Sequence, residues 1–316
     1  MAEDVRIQRK RWLLTVVRGS SLVGLSLLSV ESSSTWCVRR LWTRKREHGR
    51  IICRLISGLL LRAAQSGVDR LSVDPAQVSE ETRQTIADLG LLDNGDSLCL
   101  TTPLSENRRE HWNKTYSSST SESTDEWLLT VLSQLNIGEG AKVLDLGCGS
   151  GANSEILLKM GYETTAVDIS DEAIAKTRRR LPSIECECVD ITLGLPFDEG
   201  SFDLVLADLV LHYFTMKTTL SIVDDIRRVL APSGYLAARV NSDTDLLSGA
   251  GRGLEVEPGL FLYRGHYKRF FNSDSFLPIF RGFLVQSSGE STTHKYGQKK
   301  STVEALLRVS DKTGTD

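Results

Sequence analysis

The run Val143-Leu144-Asp145-Leu146-Gly147-Cys148-Gly149-Ser150-Gly151 constrains the fold more than any other part of this chain. A short apolar run that stops on alternating glycines is the pattern of a parallel strand, buried on both faces, which turns tightly into a helix. Lys142–Leu146 supplies the strand, and Gly147, Gly149 and Gly151 supply turn positions where backbone can approach a ligand. Residues 152–160 then read as a helix whose first N–H groups face whatever lies over the turn. A chain built on such a unit belongs to the α/β class, and turns of this kind bind nucleotide-like cofactors.

The downstream pattern repeats the unit. Residues 163–167 predict a second strand ending in Asp168, and Ser170-Asp171-Glu172 opens a helix with a capping hydroxyl and two acids in its first turn. Pro182 closes that helix, and a third strand over residues 184–189 ends in Asp190. Acids therefore stand at or beside the carboxyl ends of three successive strands, the edge along which open α/β sheets bind ligands. Each acid read singly is a solvated strand-end residue that caps the next helix; three at one edge favour a site. In Phe202-Asp203-Leu204-Val205-Leu206-Ala207-Asp208-Leu209-Val210-Leu211-His212-Tyr213 a fourth strand brings Asp208 and His212 to the same rim. Residues 222–230 are helical in pattern, and Ala231-Pro232-Ser233-Gly234-Tyr235 reads as a turn into a fifth strand over residues 236–240. Residues 282–288 and 302–309 predict a closing hairpin.

Gly147, Gly149 and Ala152 also fit the G-x-G-x-x-G/A pattern of dinucleotide sites, with Asp168 about 20 residues on to hold a ribose. The later parts favour another family. Asp145 ahead of G-x-G-x-G, three acid-tipped strands, the Leu-His-Tyr exit and the Leu-x-Pro-x-Gly turn together resemble the class I S-adenosylmethionine-dependent methyltransferases, over residues 108–310. The segment His111-Trp112-Asn113-Lys114-Thr115-Tyr116 resembles the Trp-Asn-Lys-x-Tyr opening of the tellurite-resistance-type, small-molecule branch, which closes this segment over the cofactor.

The resemblance implies a doubly wound, mostly parallel seven-stranded sheet with an antiparallel last strand, and S-adenosylmethionine as cofactor. By the same resemblance, backbone from Gly147 through Cys148 and Gly149 to Gly151 cradles the methionine end, and Asp145 anchors that loop or accepts from the ammonium. Asp168 takes the ribose hydroxyls, and Asp190 receives the adenine amino group between Ile169 and Ile191. Trp112 and Asp208 complete the cofactor side. His212 is a candidate general base, because its unperturbed pKa lies near neutrality, and Tyr213 stands with it at the acceptor entrance. Arg252, Tyr267 and Arg269, in an insertion after the fifth strand, are candidates to hold an anionic acceptor. No metal is called for. A proline-bearing Asn/Asp-Pro-Pro-aromatic signature is absent at residues 207–210, which disfavours adenine or glutamine amino groups as acceptors. The expected acceptor is a small molecule; a protein or RNA acceptor, or a cofactor-binding regulatory module without catalysis, are the competing readings.

A formal net charge of −3 gives no global field for nucleic acid, so none is expected as a partner. The six cysteines are scattered, which fits a reducing compartment and a cytoplasmic location. Cys186 and Cys188 share one face of a predicted strand; lacking a second Cys/His pair, they read as small buried residues rather than metal ligands. Residues 1–49 form a basic, partly ordered arm that is expected to be helical where ordered. Its apolar stretch is interrupted by Arg18 and Gly19, which speaks against a membrane span, while organelle targeting stays open. Residues 50–107 read as a mainly helical, winged-helix-like accessory region and a candidate homodimer surface. Its helices fall over residues 51–64 and 79–89, and a hairpin over residues 91–101 turns at Asn94-Gly95. The second helix carries Arg83 alone against Glu80, Glu81 and Asp88, so DNA reading is disfavoured. Residues 108–316 make the cofactor-binding domain, with residues 116–125 as a polar linker or lid.

Overall fold

The computed structural model describes residues 108–118, 126–263, 266–295 and 298–310, together with Glu80 and the amino-terminal strands named below. The chain divides into two compact units, Met1–Glu106 with Gly251–Lys268, and Asn107–Ala250 with Arg269–Asp316.

The second unit is built on a seven-stranded sheet. Its strands are β1 (Lys142–Leu146), β2 (Glu163–Asp168), β3 (Glu185–Cys188), β4 (Phe202–Asp208), β5 (Leu230–Asn241), β6 (Phe283–Lys295) and β7 (Gln298–Val309). They lie in the order β3-β2-β1-β4-β5-β7-β6. The first five pair in parallel, and β7 runs antiparallel to both β5 and β6. The order reverses beside β1, so the turn after β1 opens at the switch point where such sheets bind ligands.

Two apolar layers sandwich the sheet, and the period of 2 along each strand sorts side chains between them. Leu144, Leu146, Val205 and Ala207 join one cluster with Ile222, Val223 and Ile226 of helix α5 (Met216–Val229). Val143, Leu204, Leu206 and Ala237 join the other, with Trp127, Leu128, Val131 and Leu132 of α2 (Trp127–Ser133) and Leu157 of α3 (Ala152–Lys159). Helix α5 forms because Thr215 caps it, its hydroxyl accepting from the Thr218 amide at 3.2 Å, and because Thr219, Ile222, Val223, Ile226 and Val229 fall on one face. Ser170 caps α4 (Asp171–Arg180) in the same way at 3.1 Å.

The expected turn at residues 231–235 is instead part of β5, which begins at Leu230 directly after α5. Ser233 takes a positive φ of 62°, and Phe202 pairs with Leu230 while Leu204 pairs with Tyr235, so residues 231–234 loop out between the two pairs while the strand continues. The closing hairpin is longer than its apolar core, reaching Lys295 and Gln298.

The amino-terminal region departs from the helical expectation. Arg6–Gln8, Arg11–Arg18, Ser21–Val30, Thr35–Thr43, Arg70–Val73, Leu98–Thr101 and Leu92–Asp93 form one sheet in that spatial order. β-branched and aromatic residues such as Thr15, Val16, Val17, Trp36, Val38 and Trp42 favour extended backbone there. The hairpin expected around Asn94-Gly95 does form, pairing Leu92 with Cys99 and Asp93 with Leu98. The helices expected at residues 51–64 and 79–89 lie outside the described residues, apart from Glu80. In the insertion, Leu254–Glu257, Leu260–Tyr263 and His266–Arg269 make a three-stranded sheet. Among the described residues no helix is long and apolar enough to cross a membrane.

Candidate active site

The turn after β1 is fixed from several sides. Gly147 and Cys148 donate their amides to the Val167 carbonyl at 2.8 and 3.0 Å, and the Thr177 hydroxyl of α4 donates to the Gly149 carbonyl at 2.9 Å. Gly147 and Gly149 have φ of 73° and 56°, which glycine adopts without steric cost. A Cβ on Gly147 would lie 2.8 Å from Val210 Cγ2, and one on Gly149 would lie 2.5 Å from the Tyr116 hydroxyl. Gly147 is therefore held to glycine by space as well as conformation, and Gly149 by conformation, since the Tyr116 hydroxyl is the movable end of its side chain. Gly151 is the residue ahead of α3.

Above the turn is a cleft with about 570 Å³ of empty space, open solvent included. Gly147, Asp168, Ile169, Asp190 and Ile191 line it from the sheet edge, and Trp112, Tyr116, Tyr213 and Val210 are among the residues that close it. Helix α1 (Arg108–Ser118) lies against this rim. It buries none of its residues and is held by polar contacts: Arg108 donates to Thr192 Oγ1 at 2.9 Å and to Asp190 at 3.4 Å, and Arg109 donates to Asp171 at 3.3 Å. Asn113 Oδ1 accepts from the Ser170 hydroxyl at 2.7 Å. Trp112 meets the Tyr213 ring edge-on at 5.0 Å between centroids.

The two acids on the cleft wall differ in environment. Asp168 accepts from the Gly149 and Ser170 amides, each at 2.9 Å. Burial pushes its carboxyl up to about 6, against those amide hydrogen bonds, which favour the charged form. Each of its oxygens keeps lone-pair capacity for a hydroxyl donor. At Asp190 burial also acts upward, but hydrogen bonds from Thr192 and the Arg108 charge outweigh it and leave the carboxyl below its ordinary value.

Comparison with known proteins agrees with this geometry. The profile of the methyltransferase-domain family matches residues 144–238, from β1 into β5. An uncharacterized methyltransferase of Synechocystis sp. is 36% identical over 106 residues, 34% of this chain and 50% of that one. The malonyl-acyl-carrier-protein O-methyltransferase of Enterobacter lignolyticus is 30% identical over 163 residues, 50% of this chain and 61% of its own length. Among solved structures, the N-methyltransferase NodS of Bradyrhizobium japonicum WM9 in complex with S-adenosyl-L-homocysteine superimposes with a TM-score of 0.51 at 19% identity, covering 65% of this chain and 100% of that one. Residues 144–238 thus carry the pattern of a methyltransferase domain, within a sheet of the methyltransferase type. The chain spans between half and 61% of the length of the two curated relatives just named.

Against the methyltransferase pattern, the structure places the sequence-derived candidates in three groups. Gly147, Asp168, Ile169, Asp190, Ile191, Trp112 and Tyr213 line the cleft, whereas Gly149, met by the Tyr116 hydroxyl, and Gly151 are outside its lining. Asp145 and Cys148 are buried and outside the cleft lining, and Asp145 accepts from the Ser154 hydroxyl of α3 at 2.6 Å. At Cys148 desolvation, then Asp168 and Asp145, push the thiol well up, so it stays neutral.

The third group departs from expectation. Asp208 is held in a buried ion pair with Arg239 and is absent from the cleft lining. His212, the candidate base, is 1% exposed and does not line the cleft, because Leu211–Tyr213 winds into a short 3-10 turn that presents Tyr213 to the cleft and buries its neighbour. Tyr267 and Arg269, both 2% exposed, alternate onto the buried side of their strand and are not available to grip an acceptor; Arg252 is exposed. Cys186 is buried and Cys188 half-buried, and among the described residues no group of three potential metal ligands occurs. Sequence reasoning missed Arg108, Tyr116, Leu209 and Val210 on the cleft wall. Only Tyr116 had a sequence signal, as the last residue of the Trp-Asn-Lys-x-Tyr run; Arg108 meets Asp190 from 82 residues away.

Proposed function

We propose that the chain transfers a methyl group from S-adenosylmethionine to a small-molecule acceptor. The observation that carries this reading is the convergence of Gly147, Asp168, Ile169, Asp190 and Ile191 on one cleft. The residues suit an adenosyl cofactor: a left-handed glycine turn crowded at Gly147 for the methionine end, a carboxylate with lone pairs for ribose hydroxyls, and a second carboxylate between apolar walls for the adenine amino group. When bound, the cofactor supplies an electrophilic methyl on a sulfonium.

What the protein then contributes is geometry. In-line displacement needs the acceptor atom near the methyl and aligned with the breaking bond, and positioning of that kind reaches several kcal/mol of barrier. Trp112, Tyr116 and Tyr213 screen the cleft from water, which strengthens the interactions that orient the reactants. A side chain with general-base duty is not required by this arrangement, and His212 is buried outside the cleft lining.

One relative is named for trans-aconitate, a small molecule, which supports a small-molecule class; another is named for malonyl carried on an acyl-carrier protein, a small acyl group on a protein. Incubation of the full chain with methyl-labelled S-adenosylmethionine and a fractionated cell extract tests the reading. Label is expected in low-molecular-mass material; label confined to protein or RNA would replace the acceptor class, and no transfer beyond a heat-treated control would contradict the activity.

A further inference from the structure

At Leu209, on the cleft wall, the backbone takes a φ of 57°, a left-handed conformation uncommon for a leucine. Such a conformation persists where the surroundings over-determine it. Arg239 provides that hold at two points. Its backbone carbonyl accepts from the Leu209 amide at 2.8 Å, and its guanidinium clamps the preceding residue, Nε to Asp208 Oδ1 at 2.7 Å and Nη2 to Oδ2 at 2.9 Å. The two side chains are 0% and 3% exposed, and the guanidinium carbon lies 4.3 Å from the centre of the Trp127 ring.

The same carboxylate reaches the helix that follows the glycine turn. Asp208 Oδ2 accepts from Asn153 Nδ2 at 3.0 Å, and Asn153 is in the first turn of α3, directly after the glycine turn. From the far side, Val210 fills the space that a Gly147 side chain would need. The glycine turn is thus registered against the β4 exit twice, by a hydrogen bond and by a close apolar contact.

We propose that Asp208 and Arg239 are positioning residues: their buried pair, tied to Asn153, locks the glycine turn and the Leu209–Val210 wall into one unit. The inference deepens the methyl-transfer reading of the cleft and rests on it for its functional meaning.

The test uses the full chain with methyl-labelled leucine and valine, observed by NMR with and without S-adenosylhomocysteine. Two variants cut the network differently. Arg239→Lys keeps the charge but cannot grip bidentately, and Asn153→Ala leaves the Asp208–Arg239 pair whole. In both, the Val210 and Leu209 methyl signals are expected to broaden or double while those of Val223 in α5 stay single. Affinity for S-adenosylhomocysteine is expected to fall about threefold or more, the scale of mutations along a coupled network. Signals and affinity unchanged in Asn153→Ala would overturn the proposal, and that variant decides alone if Arg239→Lys does not fold. If the unaltered protein ignores S-adenosylhomocysteine, the cofactor reading fails, while the ligand-free spectra still decide the coupling.

Discussion

Leu209 and Asp168 show what single residues contribute at this cleft. The left-handed backbone of Leu209 costs an L-residue about 1–2 kcal/mol that glycine avoids. Leu209→Gly is therefore expected to be more stable than Leu209→Ala by about 1 kcal/mol in urea unfolding, the reverse of the ordinary order of those two residues; Ala above Gly would show that the position is unstrained. For Asp168, a folded-state pKa of about 6 lies above the ordinary carboxylate value of 3.8. The folded protein then binds more protons than the unfolded chain between those values, so this residue's contribution to stability falls as pH rises from about 4 to about 6 and is constant above. Ligand binding has the opposite sense, because ribose hydroxyls donate to the ionised form. Affinity for S-adenosylhomocysteine is expected to drop about tenfold from pH 7.5 to pH 5 in the native protein and to lose most of that dependence in Asp168→Asn, as followed by calorimetry. A pH-independent affinity in the native protein would remove Asp168 from the ribose site. Neither behaviour was legible from composition. An acid at a strand tip is visible in sequence, but its burial, and the fate of Asp208 against Arg239 31 residues away, depend on which strands become neighbours.

At the scale of elements, two helices behave differently because they are held differently. Helix α5 buries Ile222, Val223, Ile226 and Val229 against the sheet, so its stability comes from apolar contact. Ile226→Ala is expected to cost about 2–5 kcal/mol of unfolding free energy, read as a lower denaturant midpoint; a change under about 1 kcal/mol would mean that the helix is not packed as described. Helix α1 buries no residue and rests on Arg108, Arg109 and Asn113. Its amides are expected to exchange with solvent deuterium well before those of α5, and to be slowed when S-adenosylhomocysteine fills the cleft beside Trp112 and Tyr116. Equal protection of the two helices without ligand would contradict a polar, separable α1. The sequence disclosed the elements whose signal is local: the apolar run of β1, the Ser170 cap, the 3.6-residue period of α5. It concealed those decided by neighbours. Residues 231–234 look like a turn and loop out without a partner on β4, yet the strand runs through them from Leu230 to Tyr235, and Leu211–Tyr213 turns His212 away from the cleft it was expected to enter.

For the molecule as a whole, the order β3-β2-β1-β4-β5-β7-β6 follows from a repeated strand-helix unit closed by an antiparallel hairpin, and most of that plan was readable from period, caps and glycines. The amino-terminal sheet was not, because residues 11–43 mix apolar, basic and serine-rich stretches whose period is ambiguous until strands pair. The topology puts one switch point beside β1, and the account stands on that point being the seat of an adenosyl cofactor. The most direct measurement is a calorimetric titration of the full chain with S-adenosylhomocysteine, repeated with Asp168→Ala and with NADH as a competing ligand. The account predicts one site per chain, a loss of more than about 1 kcal/mol of binding in Asp168→Ala, and no heat from NADH. Binding of NADH with none of S-adenosylhomocysteine, or equal affinity in the native protein and Asp168→Ala, would contradict it.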